Sequence, residues 1–329
     1  MATAPALIDR HGRTISYLRV SVTDRCDLRC RYCMAEDMQF LPRAELLEME
    51  EIASIAERFI ARGVTKIRLT GGEPLMRGGV IGLARRLGGH IGKGLDELTL
   101  TTNGTRLAQH AEALHAAGVR RINVSLDSRD PDRFRFITRQ GDLGRVLDGI
   151  AAAKAAGLAI KINMVALNGL NGDEIASMLD WCVAEGFDLS LIETMPLGRI
   201  DEDRADRFLP LTAVFDALVR DFDLTRDART TGGPARYWRV GASPTRLGLI
   251  SPLTRNFCDG CNRVRLTTEG RLYACLGHDD QVDLKAALRA GRLDEAIDEA
   301  LAVKPARHDF RIAPGAGPAV GRHMSVTGG

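Results

Sequence analysis

Net charge is almost absent from this chain: 45 Lys and Arg stand against 43 Asp and Glu, leaving +2 over 329 residues. So even a balance supplies no basic field for general nucleic-acid binding, although locally clustered arginines can still hold a phosphate. No apolar run approaches membrane-spanning length, and the opening Met1-Ala2-Thr3-Ala4-Pro5 lacks the charged and apolar regions of a secretory leader. A cytoplasmic protein that acts on neither membrane nor nucleic acid is the expectation. No G-x-G-x-x-G follows any expected strand, which removes the usual dinucleotide-binding argument. The stretch Gly88-Gly89-His90-Ile91-Gly92-Lys93-Gly94 has the wrong glycine spacing for a phosphate loop and no Ser or Thr after its lysine, so it reads as a surface turn.

What is present is cysteine, in two incomplete sets. Cys26, Cys30 and Cys33 form a C-x-x-x-C-x-x-C run, and Cys258, Cys261 and Cys275 form a second group, neither with a fourth cysteine nearby. In a reducing compartment such clustering speaks for metal binding and against a disulfide framework. Structural zinc usually closes with four Cys or His ligands, and His278 is the one nearby candidate to complete the second group. Three thiolates on a four-iron cubane would instead leave one iron open, able to bind a small molecule while the cluster carries electrons. The remaining cysteine, Cys182, lies in an apolar helical stretch and reads as a buried small hydrophobe.

Strand-like and helix-like patterns alternate through the first two thirds of the chain. Strands are expected at 17–22, 66–70, 97–101, 121–126, 160–165 and 189–193, with helical spacing at 46–61, 107–117, 143–156 and 173–184. Repeated βα units require parallel strands with right-handed crossovers, hence a doubly wound sheet or a full or partial barrel. The cysteine run, Gly71-Gly72-Glu73-Pro74, Thr101-Thr102-Asn103-Gly104 and Ser125-Leu126-Asp127-Ser128 each follow or end one of the first four strands. They would share one rim, where barrels keep their active sites. The fold class expected is α/β, a partial (β/α)6 TIM-type barrel over residues 1–200. A C-terminal iron-sulfur cluster domain over 201–329 would close it.

These motifs resemble the radical S-adenosylmethionine (SAM) superfamily and, more narrowly, the GTP 3′,8-cyclase family of molybdenum-cofactor biosynthesis. The likeness runs through Gly12-Arg13, Tyr17-Leu18-Arg19, Val22-Thr23-Asp24-Arg25-Cys26, Lys66-Ile67-Arg68-Leu69-Thr70-Gly71-Gly72-Glu73-Pro74 and Cys258-Asp259-Gly260-Cys261-Asn262-Arg263-Val264-Arg265-Leu266, and ends at Gly328-Gly329. The resemblance implies two 4Fe-4S clusters, on Cys26, Cys30 and Cys33 and on Cys258, Cys261 and Cys275, with SAM chelating the open iron of the first. It implies SAM contacts at Tyr32, Gly72, Ser125 and Met195, and GTP contacts at Arg19, Arg68, Thr101, Lys161, Arg263, Val264 and Arg265. The activity implied is conversion of GTP to a 3′,8-cyclo-7,8-dihydro nucleotide with cleavage of SAM. A flavodoxin- or ferredoxin-type reductant, a homodimer and a product passed to cyclic pyranopterin monophosphate synthase complete the implied setting.

Taken singly, Gly72 reads as the tight turn before Pro74, Tyr32 as a cover over the cluster and Met195 as core filler. Most arginines are solvated surface charges, but Arg68 lies within a short apolar strand, where an unpaired charge is expensive. Residues 314–329 read by composition as a flexible end, whereas the resemblance implies that Gly328 and Gly329 reach the active site and assist SAM cleavage. Thr327 departs from the aliphatic residue commoner before the paired glycines. Two other classes compete. A zinc-stabilised binding module explains cysteines but not their odd number in each group. A different radical SAM enzyme, such as a peptide maturase with an auxiliary cluster, shares the first motif but has no need of a triphosphate site.

Overall fold

Every strand of the repeat carries two kinds of side chain, and the alternation decides the architecture. The computed structural model describes residues 6–328. The repeat strands are β1 (Tyr17–Ser21), β2 (Lys66–Thr70), β3 (Glu97–Thr102), β4 (Arg121–Ser125), β5 (Ala159–Ala166) and β6 (Asp188–Glu193), all parallel in chain order. Leu18, Val20, Ile67, Leu69, Leu98, Leu100, Ile122 and Val124 point one way, into one core with helix residues such as Ile52, Ala56 and Phe59. Fully burying each such side chain is worth about 1.5–3 kcal/mol. The alternate residues, including Arg19, Arg68, Asn123 and Lys161, point the other way. Register lines them up: Arg19 sits opposite Arg68, and Asn123 opposite Lys161.

Crossover helices start where capping side chains allow. Met49–Ala61 opens on a capping box between Glu48 and Glu51, and Leu143–Ala155 opens on Asp142, whose carboxylate accepts from the Gly144 and Arg145 N–H groups. Both lie within a few residues of the expected positions. The expected helix at 107–117 is a short 3-10 turn followed by Ala111–Ala116.

The remainder of the chain extends the same sheet at both ends. β7 (Leu224–Asp227), β8 (Arg236–Val240) and β9 (Arg246–Ile250) add beyond β6, with β9 parallel to it. β10 (Arg263–Leu266) lies parallel to β1, followed by β11 (Arg271–Tyr273) and β12 (Gln281–Asp283). The resulting order is β12-β11-β10-β1-β2-β3-β4-β5-β6-β9-β8-β7, an open sheet in agreement with a partial barrel. Buried Glu193, at the end of β6, accepts from the Leu211, Leu253 and Thr254 N–H groups and the Thr254 hydroxyl, and so ties the later segments to the barrel. No helix among the described residues is long and apolar enough to cross a membrane.

Candidate active site

The first cysteine group closes one cavity of about 1030 Å³. Cys26, Cys30 and Cys33 line it together with Gly71 and Gly72 after β2, Thr102 at the end of β3 with Asn103 after it, and Ser125 at the end of β4, so the four motifs do share a rim. Backbone contact sets this arrangement. Gly72 N–H donates to Thr23 O at 2.8 Å and Glu73 N–H to Arg25 O at 2.8 Å. A Cβ at Gly72 would stand 2.2 Å from Arg25 O, and one at Gly71, where φ is +142°, 2.2 Å from Thr23 O. The glycines are therefore what lets the β2 turn seat against the cysteine loop. Glu73, fully buried, accepts from Leu75 N–H (2.9 Å), the Thr102 hydroxyl (2.8 Å) and Asn103 N–H (2.6 Å), and burial pushes its carboxyl up to about 7.

Charge at this end is unfavourable to bare thiolates. Burial pushes Cys26 and Cys33 up to about 12 and Cys30 well above its ordinary value, with Asp127 adding to Cys30 and Cys33. Tyr32 donates to Asp127 Oδ2 at 2.7 Å, and Val165 N–H to Oδ1 at 2.8 Å; burial raises this carboxyl to about 6. Such a site accepts three thiolates only together with positive charge, which metal binding supplies as it displaces the protons.

The second cavity, about 1060 Å³, adjoins the first, and Asn163, Ile192 and Met195 line both. Cys258, Cys261 and Cys275 line it with Arg19, Arg68, Lys161, Arg263 and Arg265, and no carboxylate is among the described residues around it. Burial would raise the Cys261 thiol, yet the cations of Arg263 and Lys304 outweigh it and bring the thiol down to about 7. Buried Lys304 donates to Arg263 O at 2.9 Å, to Ala274 O and to Cys261 Sγ at 3.7 Å, fastening the loop beneath the cysteines. Arg13 does the same from outside, donating to Cys258 O at 2.9 Å. Burial lowers Lys161 to about 7, and its Nζ lies 2.5 Å from the Tyr237 hydroxyl. Arg68 Nε and Asn123 Oδ1 are buried here without a hydrogen-bond partner, which is costly unless a polar ligand supplies one.

Residue by residue, the structure brings most of the expected set together. Tyr32, Gly72, Ser125 and Met195 line the first cavity, as does Thr101, whose hydroxyl accepts from Arg68 Nη1 at 3.3 Å. Val264 is not brought in: its side chain is buried in the core on the helix-facing side, because alternation turns it away from its neighbours Arg263 and Arg265. His278 lines neither cavity and contacts Arg307 O instead; His308 lies on the second. The tail is seated rather than loose. Ala319 N–H donates to Pro196 O and Gly198 N–H to Val320 O, both at 2.8 Å, and Arg265 Nη1 donates to Gly328 O at 2.8 Å. Gly328 has φ +73°, and a Cβ there would meet Thr70 at 2.2 Å. Thr327 is buried with its hydroxyl unpartnered, and the tail docks all the same. Gly329 lies outside the described residues.

Sequence reasoning missed Asn163, Tyr237, Lys304 and Glu193. Period-two spacing along β5 carried a signal for Asn163, two residues beyond Lys161; the others depend on distant pairing. Among the described residues no three His, Cys, Asp or Glu side chains converge as a single-ion site requires. A four-iron cluster sets no such demand, since each thiolate takes its own iron.

This constellation defines the radical SAM class: residues 20–182 match the Radical SAM superfamily, and residues 187–310 match Molybdenum Cofactor Synthesis C. In fold the chain is similar to Streptococcus suis SuiB bound to S-adenosylmethionine, with a TM-score of 0.63 at 14% identity over 88% of this chain and 69% of that one. In sequence it is 59% identical to the GTP 3′,8-cyclase of Erythrobacter litoralis, covering 99% of both chains, and 57% identical to that of Rhizobium etli, covering 100% of this chain and 96% of that one. The chain belongs to the GTP 3′,8-cyclase family.

Proposed function

We propose that this protein is a radical SAM GTP 3′,8-cyclase, joining C3′ of the GTP ribose to C8 of the guanine in the first step of molybdenum-cofactor biosynthesis. One observation carries the reading: two three-cysteine sites open onto adjoining cavities, and the second is walled by five basic side chains with no carboxylate among the described residues. Cys26, Cys30 and Cys33 hold one 4Fe-4S cluster, and Cys258, Cys261 and Cys275 the other. When bound, the first cluster with SAM supplies one-electron cleavage of a sulfonium and so a carbon radical able to abstract hydrogen. Tyr32, Gly72, Ser125 and Met195 form the SAM side of the shared space.

Arg19, Arg68, Lys161, Arg263 and Arg265 hold the triphosphate, for which arginine's planar fork suits paired phosphate oxygens. Thr101 orients Arg68, and Val264 offers at most its backbone. The tail glycines Gly328 and Gly329 are assigned to assisting SAM cleavage; Gly329 lies outside the described residues, and any side chain at 328 would collide with Thr70. Because both reacting carbons belong to one substrate, holding the ribose and base in near-contact supplies much of the rate, and burial keeps water from the radical. Residues 1–200 form the SAM part and 201–329 the part that adds the second cluster and the tail. A cytoplasmic homodimer reduced by a flavodoxin or ferredoxin, and feeding cyclic pyranopterin monophosphate synthase, is the setting that fits.

The test is anaerobic reconstitution, iron and sulfide counting, then incubation with dithionite, SAM and GTP under mass spectrometry. Two clusters with GTP-dependent 5′-deoxyadenosine and a cyclised guanine nucleotide are expected. SAM cleavage without change to GTP would move the reading to another radical SAM substrate, and zinc without iron would overturn it.

A further inference from the structure

Among the described residues Arg139 alone combines a side chain with a positive φ, +60°. It follows the helix Pro131–Thr138, where glycine would cap without strain. What the arginine provides there is reach. Its Nη1 donates to Arg29 O at 2.9 Å and to Met34 O at 3.5 Å, two carbonyls that flank Cys30 and Cys33. Its Nη2 pairs with Asp201 at 2.6 Å and its Nε with Glu36 at 3.5 Å, and the guanidinium side chain is only 8% exposed.

The backbone answers in the opposite direction. Arg29 N–H donates to Thr138 O and Arg31 N–H to Ile137 O, each at 3.0 Å, so the cysteine loop satisfies the last carbonyls of the helix. Arg31 repeats the link beside it, stacking 4.1 Å from the Phe136 ring and pairing with Glu202 at 2.9 Å. Three segments, the helix end, the cysteine loop and Asp201, therefore meet on one strained arginine.

We propose that Arg139 is a positioning residue for the first cluster: it fixes the loop so that Cys30 and Cys33 face the SAM cavity, and its left-handed backbone persists because only that turn returns the side chain to the loop. This rests on the cluster reading given above. Loss of a ligand-orienting partner typically costs on the order of 10–100-fold in affinity or activity.

The experiment compares reconstituted wild type with R139K, R139A and R139G, measuring iron per chain, the EPR signal of the reduced enzyme with and without SAM, and KM for SAM. R139A and R139G are expected to raise KM for SAM about tenfold or more and to alter the SAM-dependent EPR change, with R139K recovering part of both. R139G decides if R139A folds poorly, because glycine removes the strain along with the reach. Wild-type KM and EPR behaviour in folded R139G overturns the proposal. Absence of a SAM-responsive four-iron signal in the wild type would instead overturn the cluster reading beneath it.

Discussion

The two cysteine triplets share ligand chemistry and differ in everything around it. The first is one local loop, residues 26–33, set against buried carboxyl groups; burial pushes its thiols upward, with Asp127 adding to Cys30 and Cys33. The second draws Cys258, Cys261 and Cys275 from separated positions into a field of cations that brings Cys261 down to about 7. An acidic surround suits a cofactor bearing a positive sulfonium, and a basic one suits a polyanionic nucleotide. Under the proposed function, identical ligands in opposite fields would divide the labour between adjoining cavities.

The strongest way to break this comparison is to remove one ligand from each side. Cys26→Ala is expected to abolish SAM cleavage, whereas Cys258→Ala keeps some cleavage while losing the cyclised nucleotide. Both products are quantified in the same reactions, and equal loss of both in the second variant would end the proposed division. Next in size is Arg68→Ala, which deletes a charged donor from the basic cavity alone. A hydrogen bond to a charged group contributes about 1.5–3 kcal/mol, so KM for GTP is expected to rise roughly 10- to 100-fold with iron content unchanged; loss of iron would show that Arg68 supports a cluster instead. Smallest is Val264→Ala, between two cavity arginines but on the other face. It is expected to cost about 2 kcal/mol of stability, read from a denaturation midpoint, and to leave KM for GTP unaltered.

Much of this was legible in the sequence where neighbours in space are neighbours in chain. β1 to β6 lie within a residue or two of their expected positions, and the cysteine run and Gly71-Gly72-Glu73-Pro74 act together as local spacing suggests. Val264 shows the limit of carrying a motif over whole: alternation alone would have turned it into the core. The short strands β7 to β12 carry too few residues for a clear period, and arginine-bearing β10 resembles a charged loop until β1 pairs with it. Glu193, Lys304 and Tyr237 act through partners far along the chain, which no local pattern encodes. The tail's composition pointed to disorder, yet backbone bonds to Pro196 and Gly198 and the Arg265 side chain hold it.

The pairing of β1 with β10 has a consequence for how the protein comes into being. Tyr17 lies beside Arg263 and Ser16 O–H beside Asn262, partners 246 positions apart. A chain emerging from the ribosome can lay down β1 to β6 and their helices early, because those contacts span short loops. The wall that sets Arg265 beside Arg19 arises only once the last quarter of the chain has been made. Until then the polar edge of β1 stands open, and a nascent or truncated chain would carry the cysteine loop without a completed nucleotide pocket.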